Sequence, residues 1–377
     1  MAPIQPSQDS LDRRKLVGIN AETVTNITST DFPGHHAGED NSWSLDKFKQ
    51  NLKIIFHQNQ THDAVFSLVG VDASIANAFR RILLAEVPTL AIEKVYVQNN
   101  TSVIADEVLA HRLGLVPLKG DVEGMKKLVP FIETDADSDS KLTQRTDVNT
   151  FVLSLIVRCE RNPSADKNAT EPEDKYINSS VYSGHFKFIP EGIQKERFDE
   201  VPIGPVSDKI LLAKLRPGQE IDIITHAHMG KGGDHAKFSP VATATYRLLP
   251  TITITRPILG DDAYKFQKCF PDGVIALERV TAAESEGSAE INDPAYYGRQ
   301  GDEKAVVADV MRDTVSRECL RHDEFKGKVK LGRVQDHFIF SVESTGQFPS
   351  DDLFLQSVDI LKKKAKRLLK ALDEIEK

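Results

Sequence analysis

Three closely spaced histidines, His226, His228 and His235, are the side chains whose spacing most suggests metal chemistry. Alternate side chains of a β-strand point to the same face, so His226 and His228 would lie together only on a strand. A structural zinc site needs about four ligands, and no cysteine lies near these histidines. A metal-dependent enzyme that uses the three histidines is therefore an alternative, but not the favoured one.

Two other segments resemble ligand-binding loops without completing the pattern. The segment Asp135–Ser140 begins like a calcium loop, but Ser140 stands where that loop needs glycine and Thr146 where it needs glutamate. The glycines around Lys231 lack the spacing of a phosphate-binding loop. We interpret both as flexible loops, and we expect no cofactor and no catalytic residues.

A pair of arginines lies on a predicted helix that Asp72 or Ser74 can cap and Pro88 ends. At ~100° per residue, one face of this helix is apolar, and the other carries Asn77, Arg80, Arg81 and Leu84. Two adjacent arginines can simply be solvated. Leu84 beside them favours a polar contact surface, for which the rigid guanidinium fork is well suited.

The last predicted helix, residues 351–376, carries an apolar seam with alternating spacings of four and three residues. The seam comprises Phe354, Val358, Leu361, Ala365, Leu368, Leu372 and Ile375, and Leu369 widens it near its end. A core helix on its own sheet stays open as an alternative. The narrow seam favours pairing with a helix of a partner chain, and the basic residues 362–370 are interpreted mainly as its solvated back.

The elements that position these helices are short strands, among them residues 52–57, 64–70, 92–97, 151–157 and 336–343. Mixed helices and strands predict an α+β fold. Residues 1–44 are polar and are predicted to form an extended arm. The acidic stretches 134–149 and 161–174 are predicted to be surface loops.

Composition limits the functional class. The 377 residues carry a formal net charge of −8 and three widely separated cysteines, which predicts an intracellular protein without a disulfide framework. An acidic chain is not expected to bind DNA sequence-specifically, and no apolar run approaches the ~18 residues of a membrane span. The sequence therefore favours a scaffold that binds other proteins.

Three separate segments resemble motifs of the alpha-type subunits of RNA polymerase. They are Asn77–Pro88 (NAFRRILLAEVP), Asp106–Leu118 (DEVLAHRLGLVPL) and His235–Pro240 (HAKFSP), the last with Phe238 where the family usually has tryptophan. With the final strand and helix, the resemblance covers most of residues 45–377. Three motifs in the family's order make it specific.

The cysteines indicate which type of alpha-like subunit the chain resembles. The polymerase II counterpart has a zinc-binding cysteine cluster after the second motif, where residues 119–123 contain none. Some archaeal relatives hold an iron–sulfur cluster, for which Cys269 and Cys319 cannot supply four thiolates. The chain thus resembles the larger alpha-like subunit shared by eukaryotic RNA polymerases I and III.

The resemblance implies a discontinuous dimerisation domain, a sheet with two helices, formed by residues 45–95 and 326–377. It also implies an inserted β-rich domain at 96–254 and a further small insertion at 255–325. By the same resemblance, the chain is a non-catalytic assembly subunit found in the nucleus, including the nucleolus. A homodimeric adaptor outside transcription is the other alternative.

The resemblance further implies the partners. They are a smaller alpha-like subunit, paired through the final helix, then the second-largest catalytic subunit, and small zinc-binding common subunits. Asn77, Arg80 and Arg81 match motif positions that face the second-largest subunit. The predicted partner-binding residues are therefore Asn77, Arg80, Arg81, Leu84, Phe354, Val358, Leu361, Ala365, Leu368 and Leu372.

Overall fold

Helices and strands are mixed along the chain in a computed structural model, which confirms the α+β class. The structure describes residues 15–27, 40, 42–131, 145–166, 170–287 and 293–375. Parts of the predicted arm and acidic stretches, and the whole calcium-like Asp135–Ser140 segment, therefore lie outside the described residues. None of the described helices combines the length and apolar character that a membrane span requires.

The strands in chain order are β1 (Leu16–Ile19), β2 (Val24–Thr25), β3 (Lys53–Asn59), β4 (Asp63–Val69), β5 (Pro88–Asn100), β6 (Leu118–Lys119), β7 (Phe151–Arg158), β8 (Glu160–Arg161), β9 (Tyr176–Ile177), β10 (Ser180–Tyr182), β11 (Lys187–Ile189), β12 (Gly204–Pro205), β13 (Leu211–Lys214), β14 (Glu220–Lys231), β15 (Val241–Ile254), β16 (Ile275–Arg279), β17 (Glu303–Val307) and β18 (Val329–Ser344). The α-helices are α1 (Leu45–Asn51), α2 (Ala73–Ala85), α3 (Asp106–Gly114), α4 (Val122–Lys126), α5 (Pro172–Lys175), α6 (Gln194–Arg197), α7 (Asp261–Lys268), α8 (Ala282–Glu286) and α9 (Ser350–Ile375). The predicted final helix is thereby confirmed over the residues that are described.

The described residues form two compact units, and the first comprises those that fall within Met1–Ile55, Phe66–Ala76 and Tyr246–Phe340. Strands β1 and β2 of this unit belong to a sheet with the strand order β2-β1-β18-β4-β3, in which β15 also pairs with β18. Phe66 stacks on Phe340 with ring centroids 5.4 Å apart. Tyr246 meets Phe338 edge to face at 5.3 Å, so aromatic rings fill the space beside this sheet.

Strands β1 and β2 lie in the segment that the sequence predicts to be an extended arm. Strand β1 runs antiparallel to β18, with Leu16 opposite Val334, and Val17 and Ile19 are buried. A four-residue strand is too short for alternation to be recognised among polar neighbours. Its pairing with β18, rather than its own composition, identifies it.

A second apolar cluster of the first unit surrounds α7. Phe266 packs edge to face on Phe270 and Phe325, with centroids 5.0 Å and 5.2 Å away. Cys269 and Cys319 are buried in the same cluster, and burial raises the pKa of the Cys319 thiol to about 12. Both cysteines therefore serve as small apolar core residues.

The second unit takes its residues from 56–65, 77–245 and 341–377. Its main sheet is antiparallel with the strand order β11-β7-β14-β5. Thr225 in β14 lies opposite Leu153 on one side and Val95 on the other. Its buried hydroxyl donates to the Leu153 carbonyl at 3.0 Å. Strand β7 confirms the strand predicted at 151–157.

Candidate partner-binding surface

Helix α9 is anchored in the second unit by the chain immediately before it. The Ser344 amide donates to the His62 carbonyl at 2.8 Å, and the Ser350 amide donates to the Thr61 carbonyl at 2.9 Å. Phe348, in the turn between these two contacts, is buried. The start of α9 is therefore fixed by backbone hydrogen bonds to a neighbouring loop.

The first two turns of α9 pack on their own chain. Leu353, Phe354 and Ser357 are buried, and the Phe354 ring meets the Phe79 ring of α2 edge to face, with centroids 5.3 Å apart. Only 5% of the Phe354 surface is exposed. The prediction of Phe354 as a partner-binding residue is corrected by this packing, since little of its surface remains for another chain.

An ion pair adds to this contact at the helix start. The Lys126 ammonium lies 2.7 Å from a carboxylate oxygen of Asp352. The hydrogen bond to Asp352 is the main cause that raises the pKa of Lys126 above its usual value. A carboxylate in the first turn also interacts favourably with the positive end of the helix dipole.

Beyond Ser357 the helix changes character, since none of residues 358–375 is buried. Leu368 is 67% exposed and Ile375 is 80% exposed, although both belong to the apolar seam. The alternative of a core helix lying on its own sheet is therefore wrong for this part of α9. We call residues 358–375 the outer segment and residues 350–357 the base.

One ion pair shows which flank of the seam faces α2. Lys364 lies 2.6 Å from Glu86, just after the C-terminal end of α2. In the heptad, Lys364 flanks one side of the seam, and Leu355, Lys362 and Leu369 flank the other. Leu355 and Leu369 are 63% and 61% exposed. The exposed apolar surface thus widens on the side away from Glu86.

The predicted polar face of α2 is present and partly organised. The Asn77 side-chain oxygen accepts hydrogen bonds from Nε and Nη2 of Arg80 at 3.0 Å and 2.8 Å. Asn77, Arg80 and Leu84 are half-buried, whereas Arg81 is exposed. Within the described part of the chain, no carboxylate lies within 4.0 Å of either guanidinium. Arg80 is therefore oriented by Asn77 and keeps charge available for a partner.

The glycines at 230, 232 and 233 lie at the end of β14 and just after it. The sequence predicts a flexible loop here, and the structure adds a packing role for these glycines. A Cβ on Gly232 would lie 2.1 Å from the Leu84 carbonyl oxygen, and one on Gly230 would overlap the Phe238 ring. The Gly233 amide donates to the Ala85 carbonyl at 2.9 Å. These glycines let the chain close over the C-terminal end of α2.

The second and third family-like segments meet at β5. The Lys237 ammonium donates to the Ile92 carbonyl at 2.9 Å, and the buried Thr89 hydroxyl donates to the Phe238 carbonyl at 2.7 Å. Gly114, at the end of α3, lies against the same Ile92 carbonyl. Residues of the second and third motifs, which are distant in sequence, therefore contact the same strand.

The three histidines do not converge. His226 and His228 lie on β14 with ring centroids 6.4 Å apart, whereas His235 accepts a hydrogen bond from the Lys237 amide in a 3-10 turn. Burial is the main cause that lowers the pKa of His226. Within the described ranges, no group of three or more His, Cys, Asp or Glu side chains is placed to hold a metal ion.

Apart from the buried Phe354, the predicted partner-binding residues thus fall into two sets whose members are half-buried or exposed. Asn77, Arg80, Arg81 and Leu84 lie on α2, and Val358, Leu361, Ala365, Leu368 and Leu372 lie on the outer segment. The prediction omitted Leu355, which directly follows a seam position, and Glu86, which has no recognisable spacing. A wider heptad assignment could have found Leu355.

Comparison with known proteins places these features in a family. The sequence model described as the RNA polymerase Rpb3/Rpb11 dimerisation domain matches residues 65–365. The chain is 49% identical over 353 residues to "DNA-directed RNA polymerases I and III subunit RPAC1" of Saccharomyces cerevisiae, covering 94% of this chain and 97% of that protein.

Two further relatives show whether the chain is more similar to subunits of polymerases I and III or to a subunit of polymerase II. Identity to subunit RPAC1 of RNA polymerases I and III from Mus musculus is 46% over 365 residues, covering 97% of each chain. Identity to DNA-directed RNA polymerase II subunit rpb3 of Dictyostelium discoideum is 33% over 316 residues, covering 83% of this chain and 91% of that protein. The similarity is thus higher to these polymerase I and III relatives.

Proposed function

The chain belongs to the RNA polymerase Rpb3/Rpb11 dimerisation-domain family, and from this premise we propose that it is a non-catalytic assembly subunit of RNA polymerases I and III. The family match and the RPAC1 relatives confirm the resemblance that the three sequence motifs indicated. They do not favour a metal-dependent enzyme or an adaptor outside transcription. A nuclear location follows from the polymerase relatives, and we propose that it includes the nucleolus.

The exposed seam of the outer segment is the observation that carries the proposal. A long apolar stripe on a helix whose base is anchored and whose remainder is exposed requires cover from another chain. We assign the smaller alpha-like subunit as that chain, which is consistent with a family named for the pairing of two chains. Burying a leucine side chain contributes about 1.5–3 kcal/mol, so a few such residues suffice for a stable pair.

The side from which the partner helix approaches follows from the ion pair of Lys364. Because Lys364 is held against Glu86 of its own chain, that flank of the seam is occupied. The opposite flank offers Leu355 and Leu369 with Lys362 between them. The partner helix should therefore place apolar residues against the two leucines and a carboxylate near Lys362.

The arginine face of α2 is assigned to the second-largest catalytic subunit. Arg80 is already oriented by Asn77, so less conformational entropy is lost when a carboxylate or carbonyl of the partner binds it.

The small zinc-binding common subunits would join the same platform. We also propose that residues 45–95 and 326–377 form the dimerisation domain, with insertions at 96–254 and 255–325.

The proposed pairing is tested with Leu361→Asp combined with Leu368→Asp. We expect heterodimer formation with the smaller subunit to be lost, because two carboxylates would have to be buried without partners. The matched control, Lys363→Asp with Lys370→Asp, has the same seven-residue spacing on the outer face and should pair normally. Co-purification and the mass of the complex are measured. A stable heterodimer with the first variant, or a wild-type complex of two identical chains, would contradict the proposal.

The arginine face is tested separately with Arg80→Ala combined with Arg81→Ala. The heterodimer should form as in the wild type, whereas binding of the second-largest subunit to it should weaken about tenfold or more, since charge-assisted contacts would be removed. Quantitative pull-down of the second-largest subunit by the purified heterodimer measures this. Unchanged recruitment would assign that subunit to another surface.

A further inference from the structure

A groove in the second unit is lined by residues that belong to neither surface described above. It has a volume of about 540 Å³ and lies between α3 with the loop before it and β13. This volume is within the range of ligand-binding clefts. Its walls combine exposed apolar side chains with three cations, Arg112, Lys214 and Arg216.

The apolar part of the groove is exposed to an unusual degree. Val103 is 88% exposed, Val108 is 54% exposed, and Leu211 adds a third exposed apolar side chain. Single exposed apolar residues are ordinary, but several that line one concave surface indicate a binding site. The groove therefore favours a ligand with apolar side chains.

The three cations have no acidic counterpart in the part of the chain that is described. No Asp or Glu lines the groove, and no ion pair joins Arg112, Lys214 or Arg216 to a carboxylate. In a chain with 56 acidic and 48 basic residues, such a segregated set of positive charges stands out. It gives the groove a local charge opposite to that of the whole chain.

Arg112 is held in place before any ligand binds. Its Nε donates to the Leu212 carbonyl at 3.0 Å and its Nη2 to the Leu211 carbonyl at 2.8 Å. These bonds fix the plane of the guanidinium and leave the N–H groups of Nη1 available. An oriented guanidinium binds a carboxylate with a smaller loss of entropy.

We propose that this groove binds an extended segment of another protein chain that carries apolar and acidic side chains. The apolar walls favour a peptide over a nucleic acid, whose phosphates would use the cations but not Val103, Val108 and Leu211. Recognition of acidic segments by clustered cations is a known mode of peptide binding. This site is independent of the heterodimer seam, so groove variants should leave pairing with the smaller subunit unchanged.

The test uses the full chain in its heterodimer and a fluorescent twelve-residue peptide of alternating aspartate and leucine. We expect saturable binding that weakens with added salt. Lys214→Glu, a substitution of an exposed residue that has no ion-pair partner among the described residues, should weaken binding about tenfold. Val108→Ser, which removes apolar surface without adding charge, should weaken it through the apolar wall and leave the three cations intact. Lys187→Glu, an exposed lysine on β11 outside the groove, is the matched control and should bind like the wild type.

Three results would overturn the proposal. They are an absence of saturable peptide binding, equal loss of binding in Lys214→Glu and Lys187→Glu, and equal binding of a lysine–leucine peptide. A single-stranded oligonucleotide is tested in parallel. If it bound to the groove with Lys214 dependence while Val108→Ser had no effect on either ligand, the groove would be a phosphate-binding surface instead.

Discussion

The base and the outer segment of α9 belong to one helix and continue one heptad pattern, yet their surroundings differ completely. In the base, Phe354 is 5% exposed against Phe79, whereas in the outer segment Leu368 is 67% exposed. Both residues occupy seam positions. The spacing of apolar residues therefore shows that a stripe will be covered, but not which chain covers it.

The difference also separates stability from assembly. The buried residues of the base, such as Leu353 and Phe354, contribute to the folding of their own chain, because they are buried before any partner binds. Residues of the outer segment contribute little to folding alone and should contribute to association. Substitutions in the base should consequently lower the free energy of unfolding. Similar substitutions in the outer segment should instead weaken binding of the partner.

The largest expected effect on folding comes from Phe354→Ala. Removal of a buried phenylalanine leaves a cavity and typically lowers the free energy of unfolding by about 3–5 kcal/mol. Leu372→Ala, in the outer segment, should change the unfolding of the unpaired chain by less than about 0.5 kcal/mol. Urea unfolding of the full chain measures both. Equal destabilisation by the two substitutions would remove the distinction between base and outer segment.

Leu372→Ala should instead weaken the heterodimer. The leucine is 56% exposed in the unpaired chain, and in the proposed pairing the partner helix buries its side chain. A loss of about 2 kcal/mol corresponds to an increase of about thirtyfold in Kd. Titration of the labelled smaller subunit measures this change, and an unchanged Kd would exclude Leu372 from the seam.

A smaller, pH-dependent effect is expected at the base from Lys126. Its pKa is raised in the folded chain, chiefly by the hydrogen bond to Asp352. The stabilisation is therefore complete below the unfolded pKa of about 10.4 and is lost as pH rises through the higher folded pKa. Because both side chains are partly exposed, Lys126→Gln should cost at most about 1 kcal/mol near neutral pH.

Thermal unfolding between pH 8 and pH 11 checks this prediction. The difference in unfolding temperature between wild type and Lys126→Gln should be constant from pH 8 upward and should shrink as the pH approaches 11. Lys370→Gln in the outer segment is the matched control, because Lys370 lies 3.8 Å from an exposed Glu374, and it should have little effect. A difference that grew with pH would mean that the Lys126 contact does not stabilise the base.

The helices were predicted from sequence because their signals are local. The Ser74 amide donates to Asp72 at 2.8 Å, as expected for a helix cap. Hydrogen bonds from the Ser74 side chain first, and from its amide second, lower the pKa of Asp72. The seam of α9 was likewise visible in its spacing. Cap residues and periodic apolar residues act within a few residues of one another, so one sequence suffices to find them.

The features that were missed depend on partners distant in sequence. Strand β1 exists through its pairing with β18, and the glycines at 230 and 232 are required by Phe238 and Leu84. The burial of Phe354 depends on Phe79 in the same way. None of these contacts leaves a local pattern, since each is set by the tertiary fold.

The domain boundaries implied by the family resemblance stay predictions for a related reason. The two compact units share elements along the chain, since β15 and β18 each contain residues of both. A boundary within a strand has no composition change or linker to mark it. Sequence alone can therefore indicate which segments are insertions. It locates the boundaries of the compact units less well.

The pairing face of the outer segment can be tested most directly by site-specific photo-crosslinking in the assembled heterodimer. A photoreactive phenylalanine derivative is placed at Leu368, on the seam, or at Lys363, on the opposite face. We predict a crosslink from position 368 to the smaller alpha-like subunit and none to it from position 363. Equal crosslinking from both positions, or a crosslink from position 368 only to its own chain, would contradict the account.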